Sequence, residues 1–215
     1  MSRGRFITLE GGEGVGKSTL AKALALRLAQ AGVRAEVTRE PGGSPMAEAI
    51  REAVLSGAIR EHGPFAEALM FSAARIDHID RLIAPALARG DWVICDRFAD
   101  STRVYQGVAG ELEPDLLRSL ERVATAGLAP DLTLILDLDP RKGLARAARR
   151  SPDQGKDRFE AETLGFHRKL RQGFLAIAAA EPERCAVLDA SRNPAALAEA
   201  AWLTLAERLT VPEAA

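Results

Sequence analysis

GGEGVGKS, residues Gly11–Ser18, fits the pattern G-x-x-x-x-G-K-[ST], with Gly11, Gly16, Lys17 and Ser18 at its fixed places. The flanking residues give this loop the setting its chemistry needs. FITLE (Phe6–Glu10) predicts a short buried strand, and residues 18–30 predict a helix. Glycines let backbone N–H groups turn inward around phosphate oxygens, and a helix N-terminus adds its partial positive charge. Gly11, Gly12, Glu13, Gly14, Val15, Gly16, Lys17, Ser18 and Thr19 are therefore expected to cradle a nucleoside triphosphate. Lys17 can reach the outer phosphates, and the Ser18 hydroxyl can ligate Mg²⁺. A glycine-rich strand-to-helix turn without a ligand is the alternative, and the strand–loop–helix context argues against it.

Outward from the loop, short apolar runs alternate with longer helical patterns. Residues 35–38 (AEVT), 92–96 (WVICD), 132–137 (LTLILD) and 185–189 (CAVLD) read as four further strands. Helices are expected over about 46–56, 65–88 and 194–209, with helical character over 141–150. This alternation predicts an α/β chain of P-loop NTPase type, with a five-stranded parallel sheet covered by helices on both faces. Ligands bind such sheets beyond the carboxyl ends of the strands. That rule gathers residues 10–18, 39–43, 96–106, 137–158 and 189–192 along one edge.

Composition narrows the setting. The 215 residues suit one domain, and 29 Lys plus Arg nearly balance 30 Asp plus Glu. No global field pulls such a chain onto nucleic acid or a membrane surface. No apolar run approaches the roughly 20 residues of a membrane span. The first strand begins so early that no signal peptide is expected. Cys95 and Cys185 both fall in apolar strands, as buried thiols of a reducing compartment would. A cytoplasmic location is expected.

Two further clusters belong to the ligand edge. Asp96 and Arg97 directly follow the third strand; the acid suits a Walker-B-type Mg²⁺ position and the arginine fork suits a phosphate. Their structural alternative is a turn cap and a surface ion pair. The run RKGLARAARRSPDQGKDR, residues 141–158, places Arg146 and Arg150 on one helix face with Arg149 close by, and ends in strong helix breakers. It reads as an arginine-bearing lid, or else as a solvated basic face.

FITLEGGEGVGKST, TREPGGS, ALMFSAAR, DRFADSTRVYQG, DPRKGLARAARR and DRFE occur in that order along nearly the whole chain. Together they resemble the thymidylate kinase family of nucleoside monophosphate kinases. The resemblance implies phosphorylation of dTMP to dTDP with ATP as donor and Mg²⁺ as cofactor, in a homodimer. It implies that Phe71 stacks on the thymine ring and that Arg75, one turn on, donates to a thymine carbonyl. Phe71 could equally join an apolar stripe with Leu69, Ile76 and Ile79, and Arg75 could pair with Asp77 or Asp80. Ser101, Thr102 and Gln106 are implied around the base edge and donor phosphate, Tyr105 beside the sugar 2′ position, and Pro41 in the nucleoside pocket wall.

An acid inside a phosphate loop is costly, so Glu13 must face away from the ATP phosphates or contact a cation or a hydroxyl. The resemblance implies the acceptor sugar's 3′-hydroxyl. Gly12, Glu13, Gly14 and Val15 include no base. The lid supplies Arg146, Arg149, Arg150 and Arg158 instead, which is similar to the bacterial branch of the family.

The acceptor phosphate already carries anionic oxygens, so the chemistry calls for positioning and charge stabilisation by Lys17, Arg97 and the lid rather than for a nucleophile. A kinase for dUMP or a deoxynucleoside is the nearest rival. A GTPase switch would need N-K-x-D and D-x-x-G, and neither string occurs. Lys17→Ala is expected to abolish turnover while leaving the circular dichroism spectrum and Tm nearly unchanged; a near-normal kcat would remove the role given to Lys17.

Overall fold

The computed structural model describes residues 3–150 and 158–211, apart from the side chain of Arg150. Five parallel strands form one sheet: β1 (Phe6–Glu10), β2 (Ala35–Arg39), β3 (Trp92–Asp96), β4 (Leu132–Asp137) and β5 (Cys185–Asp189), in the order β2-β3-β1-β4-β5. β1 is central and all five of its residues are buried. The expected strands are therefore present, four with the expected bounds and β2 one residue longer.

Period-two alternation divides the core. Ile7 and Leu9 of β1 face α1 (Lys17–Gln30) and α9 (Pro194–Arg208), packing with Leu24, Leu28, Leu134 and Leu205. Phe6 points to the opposite face, against Ile83, Val93 and Phe98. There Thr8 and Thr133 join hydroxyls at 2.7 Å across β1 and β4. The edge strands differ from the continuous burial expected of every strand: β2 has only β3 beside it, and most of AEVTR stays partly or fully exposed.

Helix α2 (Pro45–Leu55) follows β2, and α3 (Gly63–His78) runs on through a π-helical turn, Ile79–Ile83, into α4 (Ala84–Ala88). The expected helix over 65–88 is thus continuous but locally widened. Pro85, at the start of α4, lacks the N–H that would close the preceding turn, which accounts for the widening. Besides a 3₁₀ turn at Arg60–His62, three longer helical segments go beyond the sequence expectation among the described residues: α5 (Ala99–Thr102) with its π-helical continuation Arg103–Ala109, α6 (Pro114–Thr125), and α8 (Leu164–Ala180). The polar, glycine-containing text of residues 99–109 hides the first. α8 begins at a Thr163 cap whose side chain accepts from the Phe166 N–H. Helix α7 (Pro140–Arg150) carries the arginine run; residues 151–157, the middle of the expected lid, lie outside the described residues.

Candidate active site

A cleft of about 620 Å³ opens beyond the carboxyl ends of β1, β2 and β3. The loop after β1 forms its floor. Gly14 sits at φ 66, and a Cβ there would lie 2.0 Å from the carbonyl oxygen of Gly143 in α7. A Cβ on Gly143 would in turn lie 2.3 Å from the Glu13 carbonyl oxygen. The base of the arginine helix therefore rests directly on the loop backbone, an approach only two glycines permit. Helix α1 starts at Lys17 with no side-chain cap, so its first N–H groups remain the unsatisfied donors that bind anions at helix N-termini.

The Lys17 ammonium donates to the carbonyl oxygens of Gly11 (3.1 Å) and Gly12 (2.8 Å). The Ser18 hydroxyl donates to Asp96 Oδ2 at 2.6 Å. A hydroxyl and a carboxylate thus meet at the loop's exit, the hard-oxygen pair that suits Mg²⁺.

Arg97 follows β3 with φ 74, in the left-handed region. Its Nη1 donates to Gly11 O (2.9 Å) and Ser101 Oγ (3.2 Å), and its Nη2 to Glu13 Oε1 (2.6 Å). Its guanidinium carbon stands 5.0 Å from the centre of the Tyr105 ring, and the Tyr105 hydroxyl donates to the same Glu13 oxygen at 2.8 Å. Glu13 thereby meets both a cation and a hydroxyl. Burial pushes its carboxyl up, but Arg97, Lys17 and Tyr105 outweigh that and hold it at about 2. Burial, reinforced by Arg97, lowers Lys17 to about 8 despite the opposing carboxylates of Asp96, Glu13 and Glu10. Beneath them the fully buried Glu10 accepts from the Phe98 N–H and the Ser101 hydroxyl, each at 2.7 Å. Burial and nearby Asp100 push its carboxyl up to about 7.

At the far end of the cleft, Pro41, Phe71, Arg75, Thr102, Tyr105 and Gln106 share the wall. Phe71 packs toward Phe159 at 6.3 Å between ring centres, while Leu69 and Ile76 of the same helix are exposed on its other side. Arg75 is buried and donates to Glu40 Oε2 (2.8 Å) and Thr102 Oγ1 (3.1 Å). It does not pair with Asp77, which instead accepts from Ser44 and Arg81. Gln106 Nε2 donates to Glu67 at 3.3 Å.

The described lid arginines do not converge on the cleft. Arg146 and Arg149 are exposed on α7 and do not line the cleft; Arg146 donates to Ala190 O beyond β5, at 3.0 Å. Arg158 pairs with buried Glu67 at 2.6 Å. The side chain of Arg150 falls outside the described residues.

No binding role is read from the sequence for some cleft residues, although Glu40 and Phe159 lie in the quoted stretches TREPGGS and DRFE. Arg51 of α2 and Phe159 line the cleft, and Glu40 holds Arg75. Nothing in the helical text EAIREA marks Arg51. Glu10, an acid ending an otherwise apolar strand beside the loop, does carry a legible signal.

Fold and site together define a P-loop phosphotransferase of the nucleotide kinase class. The family model described as thymidylate kinase matches residues 9–201. A thymidylate kinase of Nitrobacter winogradskyi is 55% identical over 99% of this chain and 93% of its own length. One from Rhodopseudomonas palustris is 56% identical over 98% and 92%. The crystal structure of thymidylate kinase from Ehrlichia chaffeensis superposes with a TM-score of 0.77 at 29% identity, covering 94% of this chain and 99% of that one. The chain belongs to the thymidylate kinase family, whose members transfer a phosphoryl group from ATP to dTMP to give dTDP.

The lowered Lys17 pKa has a measurable sign. Between about 8 and the ordinary 10.5, the unfolded lysine holds a proton that the folded one has released, so stability contributed by this group rises with pH. A polyphosphate bound against Lys17 would draw that proton back onto the amine, and ATP affinity would then fall through the same window. Calorimetry at pH 8.5 in two buffers of different ionisation enthalpy is expected to show uptake of more than about half a proton per ATP. Buffer-independent heats would contradict this.

Proposed function

We propose that the loop Gly11–Thr19 holds the ATP phosphates while the wall from Pro41 to Gln106 holds dTMP, and that Arg97 stands between the two. The observation that carries this reading is the Arg97–Glu13 pair, which sets a phosphate-binding fork and an acceptor for a sugar hydroxyl 2.6 Å apart beside Lys17. Lys17 and the N–H groups of α1 orient the donor. Phe71 offers a ring face to the thymine, Arg75 a donor to a base carbonyl, and Ser101, Thr102 and Gln106 polar partners around the base. Tyr105 crowds the sugar 2′ position, and Glu13 accepts from the 3′-hydroxyl. The lid arginines Arg146, Arg149, Arg150 and Arg158 close over the reacting phosphates, exclude water and stabilise charge on the transferring group. The two phosphates meet in line, with no covalent intermediate.

Ser18 and Asp96 would hold Mg²⁺, whose charge offsets that of the ATP phosphates. One domain performs all of this, in the cytoplasm, where the buried thiols of Cys95 and Cys185 stay reduced. Among the described residues no helix is long and apolar enough to cross a membrane.

Incubation with ATP, Mg²⁺ and a panel of nucleoside monophosphates is expected to yield dTDP preferentially. EDTA should stop turnover, and Asp96→Asn should raise the Mg²⁺ requirement. Equal turnover of dTMP and dUMP would remove the base selectivity, and ATP hydrolysis indifferent to acceptor would favour a switch.

The chain is further proposed to form a homodimer through α3, whose Phe65, Leu69 and Ile76 are exposed on one side, flanked by exposed Leu116 and Val123 of α6. Sedimentation equilibrium should give a dimer that Leu69→Glu converts to monomer; a monomeric wild-type protein would refute the interface.

A further inference from the structure

His78 ends α3, is completely buried, and lies where the Glu40 carboxylate and β3 meet. Its Nδ1 is 3.2 Å from Glu40 Oε1, and its Nε2 is 2.7 Å from the Thr38 hydroxyl. The other carboxylate oxygen of Glu40 accepts from Arg75 Nε at 2.8 Å. The loop closes directly over this pair: Gly43 is at φ 85, and a Cβ on it would lie 2.4 Å from both His78 Nε2 and Thr38 Oγ1. Four groups from β2, the segment just after it and α3 thus form one chain, Thr38–His78–Glu40–Arg75, which ends at Thr102 in the cleft.

We infer that His78 is a positioning residue for dTMP, holding the Glu40 carboxylate so that it takes a single N–H from Arg75 and leaves the rest of the guanidinium fork directed at the base. The inference rests on the reading of Arg75 as the base-facing donor. A carboxylate only accepts, so the proton of the imidazole sits on Nδ1 and the Thr38 hydroxyl donates to Nε2. Without the imidazole donor, Oε1 of Glu40 is a buried charged oxygen with no partner of equal quality. The nearest supply of N–H groups is the same guanidinium, and carboxylate and guanidinium pair most strongly side by side. Arg75 would turn to a two-pronged grip on Glu40, away from Thr102 and the base.

Cys95 also lies in this cluster, where one ligand atom each from Glu40, His78 and Cys95 fall within 4.8 Å of one another. It does not make a metal cage: burial holds the thiol well above its ordinary pKa, and it donates to the Arg97 carbonyl oxygen at 3.0 Å. The cluster's polar atoms are already matched donor to acceptor.

Asparagine carries an amide N–H near the place of Nδ1, whereas glutamine reaches the place of Nε2. His78→Gln is therefore expected to raise KM for dTMP about tenfold, with KM for ATP and kcat little changed, and His78→Asn to restore KM to within about threefold of wild type. Equal KM values in the two variants would reduce His78 to a space-filling role and overturn the inference. Should neither variant fold, ¹⁵N NMR of histidine-labelled wild-type protein decides: the inference requires the Nδ1–H tautomer at His78, and an Nε2–H tautomer or an imidazolium overturns it. Arg75→Met in the same assay separates the two levels. If it leaves KM for dTMP unchanged, the reading of Arg75 fails; if it raises KM while His78→Gln does not, only the role of His78 fails.

Discussion

The largely buried ion pair between Arg97 and Glu13 is the contact on which the rest of the site depends. The two side chains are 15% and 16% exposed, and burying two charges is favourable only when each has further hydrogen bonds. Here both do. Glu13 also accepts from Tyr105, and Arg97 also donates to Gly11 O and Ser101. The pair therefore fixes the phosphate loop against β3 and draws the segment after Phe98 toward both. Removal of either charge would leave the other largely buried with only its remaining hydrogen bonds, so loop shape and acceptor wall would weaken together.

Behind the cleft, a second polar assembly holds that wall in place. Asp100 accepts from Arg184 at 2.7 Å, Arg103 spans Glu121 and Glu181 at 2.6 and 2.7 Å, and Arg184 also donates to Thr133 of β4. The segment that carries Ser101, Thr102, Tyr105 and Gln106 is thus tied to the sheet, α6 and α8 from its rear. A π-helical segment of this length is rare. Two arginines, Arg103 and Arg184, fasten it to its neighbours.

The sheet is legible because its buried strands are uninterrupted apolar text: FITLE, WVICD and LTLILD admit little else. The loop is legible because few residues other than glycine fit its backbone. Residues 99–109 are not, since a helix closed by tertiary ion pairs leaves a polar sequence resembling a loop. The roles of Glu40 and Arg51 depend on partners outside their own segments, and no local spacing encodes them. Electrostatic necessity narrows more than pattern: an acid in a phosphate loop must face away from the phosphates or meet a cation or a hydroxyl, and of these Glu13 meets Arg97 and Tyr105.

Arg97 also constrains how this chain can change over generations. Its φ of 74 is a conformation that costs a non-glycine residue on the order of 1 kcal/mol, which glycine would avoid. Selection for a relaxed backbone and selection for chemistry therefore pull position 97 in opposite directions. A drift toward glycine would ease the main chain while deleting the fork that joins loop to wall. The ion pair with Glu13 outweighs the backbone strain of about 1 kcal/mol that glycine would relieve, so the fold itself holds arginine at position 97.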